Sequence, residues 1–328
     1  MSSVISAARA DYAAIQKFLE DAYNHATDFF PLHYPWCWRE ENTDFGHTYL
    51  IRESAQIVSL VRMFPLDLSL GGVQIRIGGI GGVSTKPSCR GKGYMSQLLQ
   101  HAVDQMKAEQ MPVSILWGDQ HRYQSFGYQT AGQAVTLAIS RRGLEKMRVS
   151  PLEGVRFQGQ PELLSQMMQA YHAHAFHRRR TLEEFRLVCR HPDLLLFCTQ
   201  AKDPFAYLGL MNGAPVEYGG DMQSVLGLTA HLMTRLGRWT MDFRFPHWAA
   251  VPASVRAAAW TWKIEPTGQI KILDLEKTLT GFAPQAPEAI IPPLQKLRAM
   301  PETQQTEALF GTAHGSPFNI WVWPLDNI

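Results

Sequence analysis

Residues 77–96, IGGIGGVSTKPSCRGKGYMS, decide how the chain reads. They close an alternating run, Val73 to Thr85, that has the period of a strand, and after a short loop containing Pro87 they open a helix. Met95, Leu98, Leu99, Ala102 and Met106 recur on one helical face, which predicts a helix from about Tyr94 to Glu109. Pro112 ends it, and the apolar run Val113 to Trp117 is the next strand. Strand, helix and strand at this length require a parallel crossover. Upstream, Thr48 to Ile51, Ile57 to Met63 and Leu66 to Leu70 also alternate, and Gly71-Gly72 supplies a hairpin turn into Val73, so these strands are antiparallel. A first amphipathic helix carries Tyr12, Ile15, Phe18, Leu19 and Ala22, and an aromatic loop from Asp28 to Phe45 follows it.

The same order of elements returns further on. Helices are expected at Glu162 to Arg178 and, behind the capping box Thr181-x-x-Glu184, at Leu182 to Cys189. Strands follow at Leu194 to Thr199, Phe205 to Met211 and Ala214 to Tyr218, then a helix over Met222 to Leu236 and a strand at Trp239 to Phe243. With 328 residues, the chain is read as an α/β (α+β) protein of two tandem mixed-sheet domains, 1–148 and 149–280, with a tail at 281–328. Phe318, Ile320, Trp321, Val322, Trp323 and Leu325 would each lose about 1.5 to 3 kcal/mol if left in water, so the tail is expected to dock on the body.

Composition narrows the function. Hydrophobic residues make up 45% and charged residues 18%, which excludes a disordered chain, and a formal charge of +2 excludes one devoted to a polyanion. No apolar stretch is long enough for a membrane span, and the N-terminus lacks the charged and apolar regions of a signal peptide, so a cytoplasmic location is expected. Cys37, Cys89, Cys189 and Cys198 form no C-x-x-C pair, and neither a disulfide framework nor a metal is expected. His172, His174 and His177 do not share a helical face, and Arg178 to Arg180 read as a solvated helix end.

The loop at the end of the strand carries the chemistry. The first turn of a helix leaves its amides unpaired and partly positive, and glycines at 91 and 93 let a backbone curl closely around an anion. Arg90 and Lys92 add full charges. The alternative is a solvated basic turn with no ligand. A G-x-x-x-x-G-K-[ST] phosphate loop fails because Tyr94 follows Gly93, and G-x-G-x-x-G fails because the last place is Ser96. R-x-x-G-x-[GA] fits Arg90 to Met95 except at Met95 itself.

That pattern resembles the pyrophosphate loop of the GCN5-related N-acetyltransferases, and Tyr123-Gln124-Ser125-Phe126-Gly127-Tyr128 resembles a second mark of the family, Y-x-x-F-G-[FYW]. The resemblance implies acetyl-CoA as co-substrate, its pyrophosphate held by Arg90, Gly91, Lys92, Gly93, Tyr94, Met95 and Ser96 and its pantetheine arm aligned by Val83, Ser84 and Thr85 between two splayed strands. It implies Tyr123 as the general acid that protonates the leaving thiolate, which suits a phenol neutral at pH 7; the alternative is a buried tyrosine capping a backbone group. The layout is similar to the tandem Eis-like subgroup, although only about 48 residues remain after Gly281 where those members carry a larger domain. In some tandem members the terminal carboxylate serves as base, which makes Ile328 a second catalytic candidate; the alternative is a terminus that simply meets solvent. Glu217 and Asp221, with no arginine, would repel a pyrophosphate at the second crossover.

For the acceptor, Phe30, Tyr34, Trp36 and Asp119 are the candidates, since rings and carboxylates attract an ammonium group; the rings equally serve to pack the first helix on the sheet. The expected function is transfer of an acetyl group to a primary amine, small or peptidic, by direct attack, with no nucleic acid or membrane partner and room for a homo-oligomer. A non-enzymatic acyl-CoA sensor or a scaffold is the rival.

Overall fold

The computed structural model describes residues 3–200, 203–286, 290–312 and 315–327. β1 (Ile5–Ser6) and α1 (Tyr12–Tyr23) come first, and α1 buries Ile15, Phe18 and Leu19 before Asn24, in the left-handed conformation, ends it. The aromatic loop folds into two short helices, α2 (Phe29–His33) and α3 (Pro35–Trp38). β2 (Thr48–Glu53), β3 (Gln56–Leu70) and β4 (Val73–Thr85) then form an antiparallel meander. One strand stands where the sequence predicts two, at 57–63 and 66–70. Pro65 lies opposite Gly78 of β4, but Met63 N donates to His47 O on the other edge, so by alternation position 65 faces that edge too. There the β2 ladder has stopped at Arg62 and β9 joins only at Leu68, so the missing N–H deprives no neighbour of a bond.

α4 (Tyr94–Ala108) crosses from β4 to β5 (Val113–Leu116), which pairs parallel to β4 as expected. The helix lies close on the sheet: a Cβ on Gly78 would come within 2.4 Å of the Met106 sulfur. α5 (Gln120–Gln124), β6 (Gln129–Ala131), β7 (Ala134–Ser140) and α6 (Arg141–Lys146) complete the first half.

The second half runs β8 (Val155–Arg156), α7 (Pro161–His172), β9 (Phe176–Arg178), α8 (Leu182–Val188), β10 (Leu194–Cys198), β11 (Ala206–Met211), β12 (Ala214–Gly220), α9 (Met222–Arg235) and β13 (Thr240–Phe245). After these come α10 (Ala253–Ala258), β14 (Ala259–Glu265), β15 (Gly268–Ile272), α11 (Leu275–Phe282), α12 (Leu294–Arg298) and α13 (Glu302–Phe310). The two halves exchange strands. β15 completes the first sheet between β5 and β6, while β7 lies between β13 and β14 in a three-stranded sheet, and β8 and β10 to β12 form a third.

The stretch at 162–178 corrects the sequence reading. The helix stops at His172, and Phe176–Arg178 is a strand on β3. Arg178 and Arg180 are buried, not solvated. Asp326, fully buried in the tail, accepts from Arg178 Nε at 2.7 Å and from Arg180 Nε and Nη2 at 2.8 Å each, and from the Tyr171 hydroxyl at 2.7 Å. Arg180 also reaches Glu217 at 2.7 Å, and Arg178 reaches Glu184 at 2.6 Å. The tail docks through Phe318, Ile320, Trp321, Trp323 and Leu325, all buried.

Gly220 marks the bend into α9. Its φ is +90°, and a Cβ there would lie 2.2 Å from the Phe205 carbonyl oxygen, a backbone atom that has nowhere to move. Gly220→Ala is therefore expected to lower the unfolding free energy by about 1 to 3 kcal/mol, read as a reduced urea midpoint at unchanged slope.

Candidate active site

The helix that opens the cleft begins without a side-chain cap. Gly93 is its N-cap at φ +78° and Gly91 stands at φ +79°, so the first-turn amides of α4 are left for an outside acceptor. A Cβ at either position would meet nothing within 4 Å. These glycines serve the turn and leave open space in front of it. The corresponding start of α9 is closed: the Asp221 side chain accepts from Ser224 N at 2.8 Å, and Gly219 packs against Tyr207 and the Ala170 backbone. Glu217 is turned inward to Arg180.

In front of α4 lies a cleft of about 650 Å³. Val83, Ser84, Thr85, Arg90, Gly91, Gly93, Tyr94, Met95 and Ser96 line it, so the structure brings together nine of the residues expected to hold the cofactor. Lys92 is not a wall of the cleft. Its Nζ lies 2.8 Å from Glu53 Oε1, and the Tyr94 hydroxyl donates to the same carboxylate. The Lys92 and Tyr94 hydrogen bonds hold the Glu53 carboxyl below its ordinary range, and Glu53 in turn raises Lys92. Arg90 has no such partner among the described residues and remains an uncompensated charge at the cradle.

The two central strands part at this point. β4 and β5 pair from Gly78 opposite Ser114 to Ile80 opposite Leu116, and β5 ends there. A bulge at Gly82, with φ +62°, lets the register with β3 slip between Arg62 opposite Gly81 and Leu60 opposite Ser84. Beyond it, Ser84 O accepts from Ser59 Oγ and Lys86 N donates to Val58 O, so these residues address β3. By alternation, Val83 and Thr85 turn their amides and carbonyls to the gap. The Tyr23 hydroxyl donates to Val83 O at 3.0 Å, and enclosure of that hydroxyl raises its pKa to about 12.

Tyr123 sits on α5. Asp119 caps that helix, its carboxylate accepting from His121 N at 3.0 Å, which gives this acidic candidate a structural bond. The Tyr123 ring is 5% exposed and does not itself line the cleft, although Arg122, Ser125 and Phe126 beside it in the chain do. Gly118, at φ +141°, brings the backbone against that ring, where a Cβ would lie 3.2 Å from it. Burial raises the Tyr123 pKa and the neighbouring Arg122 guanidinium opposes the rise, so the phenol is protonated through the neutral range.

The acceptor candidates divide. Phe30 is buried, 5.6 Å from Trp38 and 6.4 Å from Tyr34 between ring centroids, and packs α2 against the body. Tyr34 and Trp36 are half-buried, and the Arg178 guanidinium stands 4.1 Å over the Trp36 ring. Ile328 lies outside the described residues. Tyr23, Arg122 and Glu53 escape the sequence reading. Extending the α1 stripe from Leu19 by four residues reaches Tyr23, whereas the Glu53–Lys92 contact spans 39 residues and leaves no local signal.

A family model described as an acetyltransferase (GNAT) domain matches residues 3–131. No curated protein matches the sequence. Among solved structures, a GCN5-related N-acetyltransferase from Kribbella flavida aligns with a TM-score of 0.66 at 15% identity, over 87% of this chain and 75% of that one. A conserved protein of unknown function from Enterococcus faecalis V583, described as a probable N-acyltransferase, gives 0.62 at 17%, over 86% and 75%. Eis1 from Mycobacterium abscessus gives 0.59 at 15%, over 85% and 75%. At these identities the likeness shows a shared fold along most of the chain. Residues 3–131 thus carry an acetyltransferase (GNAT) domain, the mark of an acyltransferase, and most of the chain shares the fold of GCN5-related N-acetyltransferases, Eis1 among them.

Proposed function

We propose that the protein transfers an acetyl group from acetyl-CoA to a primary amine by direct attack. The observation that carries this reading is the uncapped start of α4, with Arg90 beside it, opening onto strands that part at Ile80. Its amides and Arg90 would take the pyrophosphate, and the gap-facing groups of Val83 and Thr85 would align the pantetheine arm. The amine then attacks the thioester carbonyl, the tetrahedral adduct expels the thiolate, and Tyr123 gives it a proton. Positioning would supply much of the rate.

In this reading residues 1–148 carry the chemistry, residues 149–280 form a silent second unit, and residues 281–328 dock the tail. Ile328 stays the second catalytic candidate and lies outside the described residues; the amine sheds its proton to solvent water before it attacks. Tyr34 and Trp36 are kept as walls of the acceptor pocket, and the protein works in the cytoplasm.

Titration calorimetry with acetyl-CoA and with free CoA tests the site. Arg90→Ala is expected to weaken both by roughly ten- to a hundredfold, since a charge-assisted contact to phosphate is worth about 1.5 to 3 kcal/mol. Unchanged affinity would remove Arg90 from the cradle.

A further inference from the structure

β14 is the outer strand of the three-stranded sheet, and its far edge has no strand beside it among the described residues. It stands out from the body, with Trp260 69%, Trp262 58% and Ile264 38% exposed, although Trp262 and Ile264 pair with Leu137 and Val135 on the face that elsewhere forms the core. Trp248, 38% exposed, has its ring 5.0 Å from that of Trp262. Together these side chains expose on the order of 500 Å² of apolar surface, toward the upper end of the largest patch on an ordinary monomer. A free edge of this kind is normally blunted by charge. Here the one cation on the strand, Lys263, is already paired with Glu265 at 2.9 Å.

We propose that this edge is a homodimer interface, in which β14 pairs antiparallel with β14 of a second copy to make one continuous six-stranded sheet. The strand is self-complementary in its regular part. Residues directly opposite in an antiparallel pair share a face, so under a two-fold axis normal to the sheet only residues of like parity meet. Trp262 and Ile264 therefore face apolar positions of the second copy, while Lys263 in the registers centred on Trp262 or Ile264 meets Thr261 or Glu265. Apolar patch, strand backbone and charged face together approach the ~800 Å² that each partner gives to a standard interface. A lipid surface fits less well. It would leave the edge amides and carbonyls unsatisfied, and the Lys263–Glu265 pair offers no net positive charge to anionic headgroups.

Sedimentation velocity on the full chain tests this. The wild type is expected to show a monomer–dimer equilibrium in the micromolar range. Trp262→Lys is expected to weaken association by about tenfold or more, with far-UV circular dichroism and acetyl-CoA affinity unchanged, and Trp260→Lys provides a second, independent lesion if the first variant folds poorly. A wild type that stays monomeric at hundreds of micromolar, or a dimer indifferent to both substitutions, overturns the proposal. A monomer that co-sediments with phosphatidylcholine vesicles overturns it in favour of a lipid surface.

Discussion

Tyr123→Phe is expected to lower the turnover number by about 10²- to 10⁴-fold while acetyl-CoA affinity changes little. The substitution removes one oxygen from a ring that is 5% exposed and does not itself line the cleft, so the walls named above keep their places. It takes away the only role proposed for that hydroxyl, delivery of a proton to the departing sulfur. Stopped-flow turnover with a thiol reagent, beside calorimetry on the same variant, separates the two effects. Because burial raises the phenol's pKa, its protonated form persists above the ordinary value near 10, and no loss of rate from this group is expected between pH 7 and 10. Arg122 opposes the rise, so Arg122→Ala should move the alkaline limb further up. Full activity in Tyr123→Phe would assign the proton to water and leave Tyr123 a packing residue.

The second large effect concerns stability. Asp326→Ala is expected to lower the unfolding free energy by about 3 to 5 kcal/mol, because it strands two buried guanidinium groups whose remaining partners are Glu184 and Glu217. Asp326→Asn, which keeps the shape and loses the charge, should fall between the two. The pH dependence has a definite sign. Arg180 and Arg178 overcome the penalty of burial and hold the Asp326 carboxyl at about 2, below the ~3.9 of an unfolded aspartate. Its contribution, on the order of 2 kcal/mol, is therefore complete above pH 4 and is lost as the pH falls from there through about 2. Urea denaturation at pH 7 and pH 3 should show a smaller gap between wild type and Asp326→Asn at the lower pH. Equal gaps would mean that the carboxylate stabilises the tail by shape alone.

What is legible in the sequence is what lies close together in it. The crossover from Val73 to Leu116 rests on a strand period, two turn glycines and a helical stripe within about forty residues, and its cleft residues follow from the same stretch. Arg178 and Arg180 mislead for the opposite reason. They follow a histidine-rich helix end and read as solvated, because the carboxylates that neutralise them lie up to 148 residues away. Pro65 misleads by rule: a proline breaks most strands, and only the gap between β2 and β9 excuses this one. Lys92 is legible as a cation beside the cradle, yet Glu53 engages it from a neighbouring strand. The aromatic loop is ambiguous because rings that bind a cation and rings that pack a helix look alike until burial is known, and Phe30 proves to be of the second kind.

The placement of β15 bears on how the protein is born. Its partners β5 and β6 end by Ala131, but the strand that must slide between them is not synthesised until Gly268 to Ile272. During translation, the leading sheet waits with an unfilled slot while some 140 further residues leave the ribosome, a delay of roughly ten seconds or more at ordinary elongation rates. Nascent chains stalled before that strand should stay protease-sensitive and chaperone-bound, and only release of the late segment would let the early one lock.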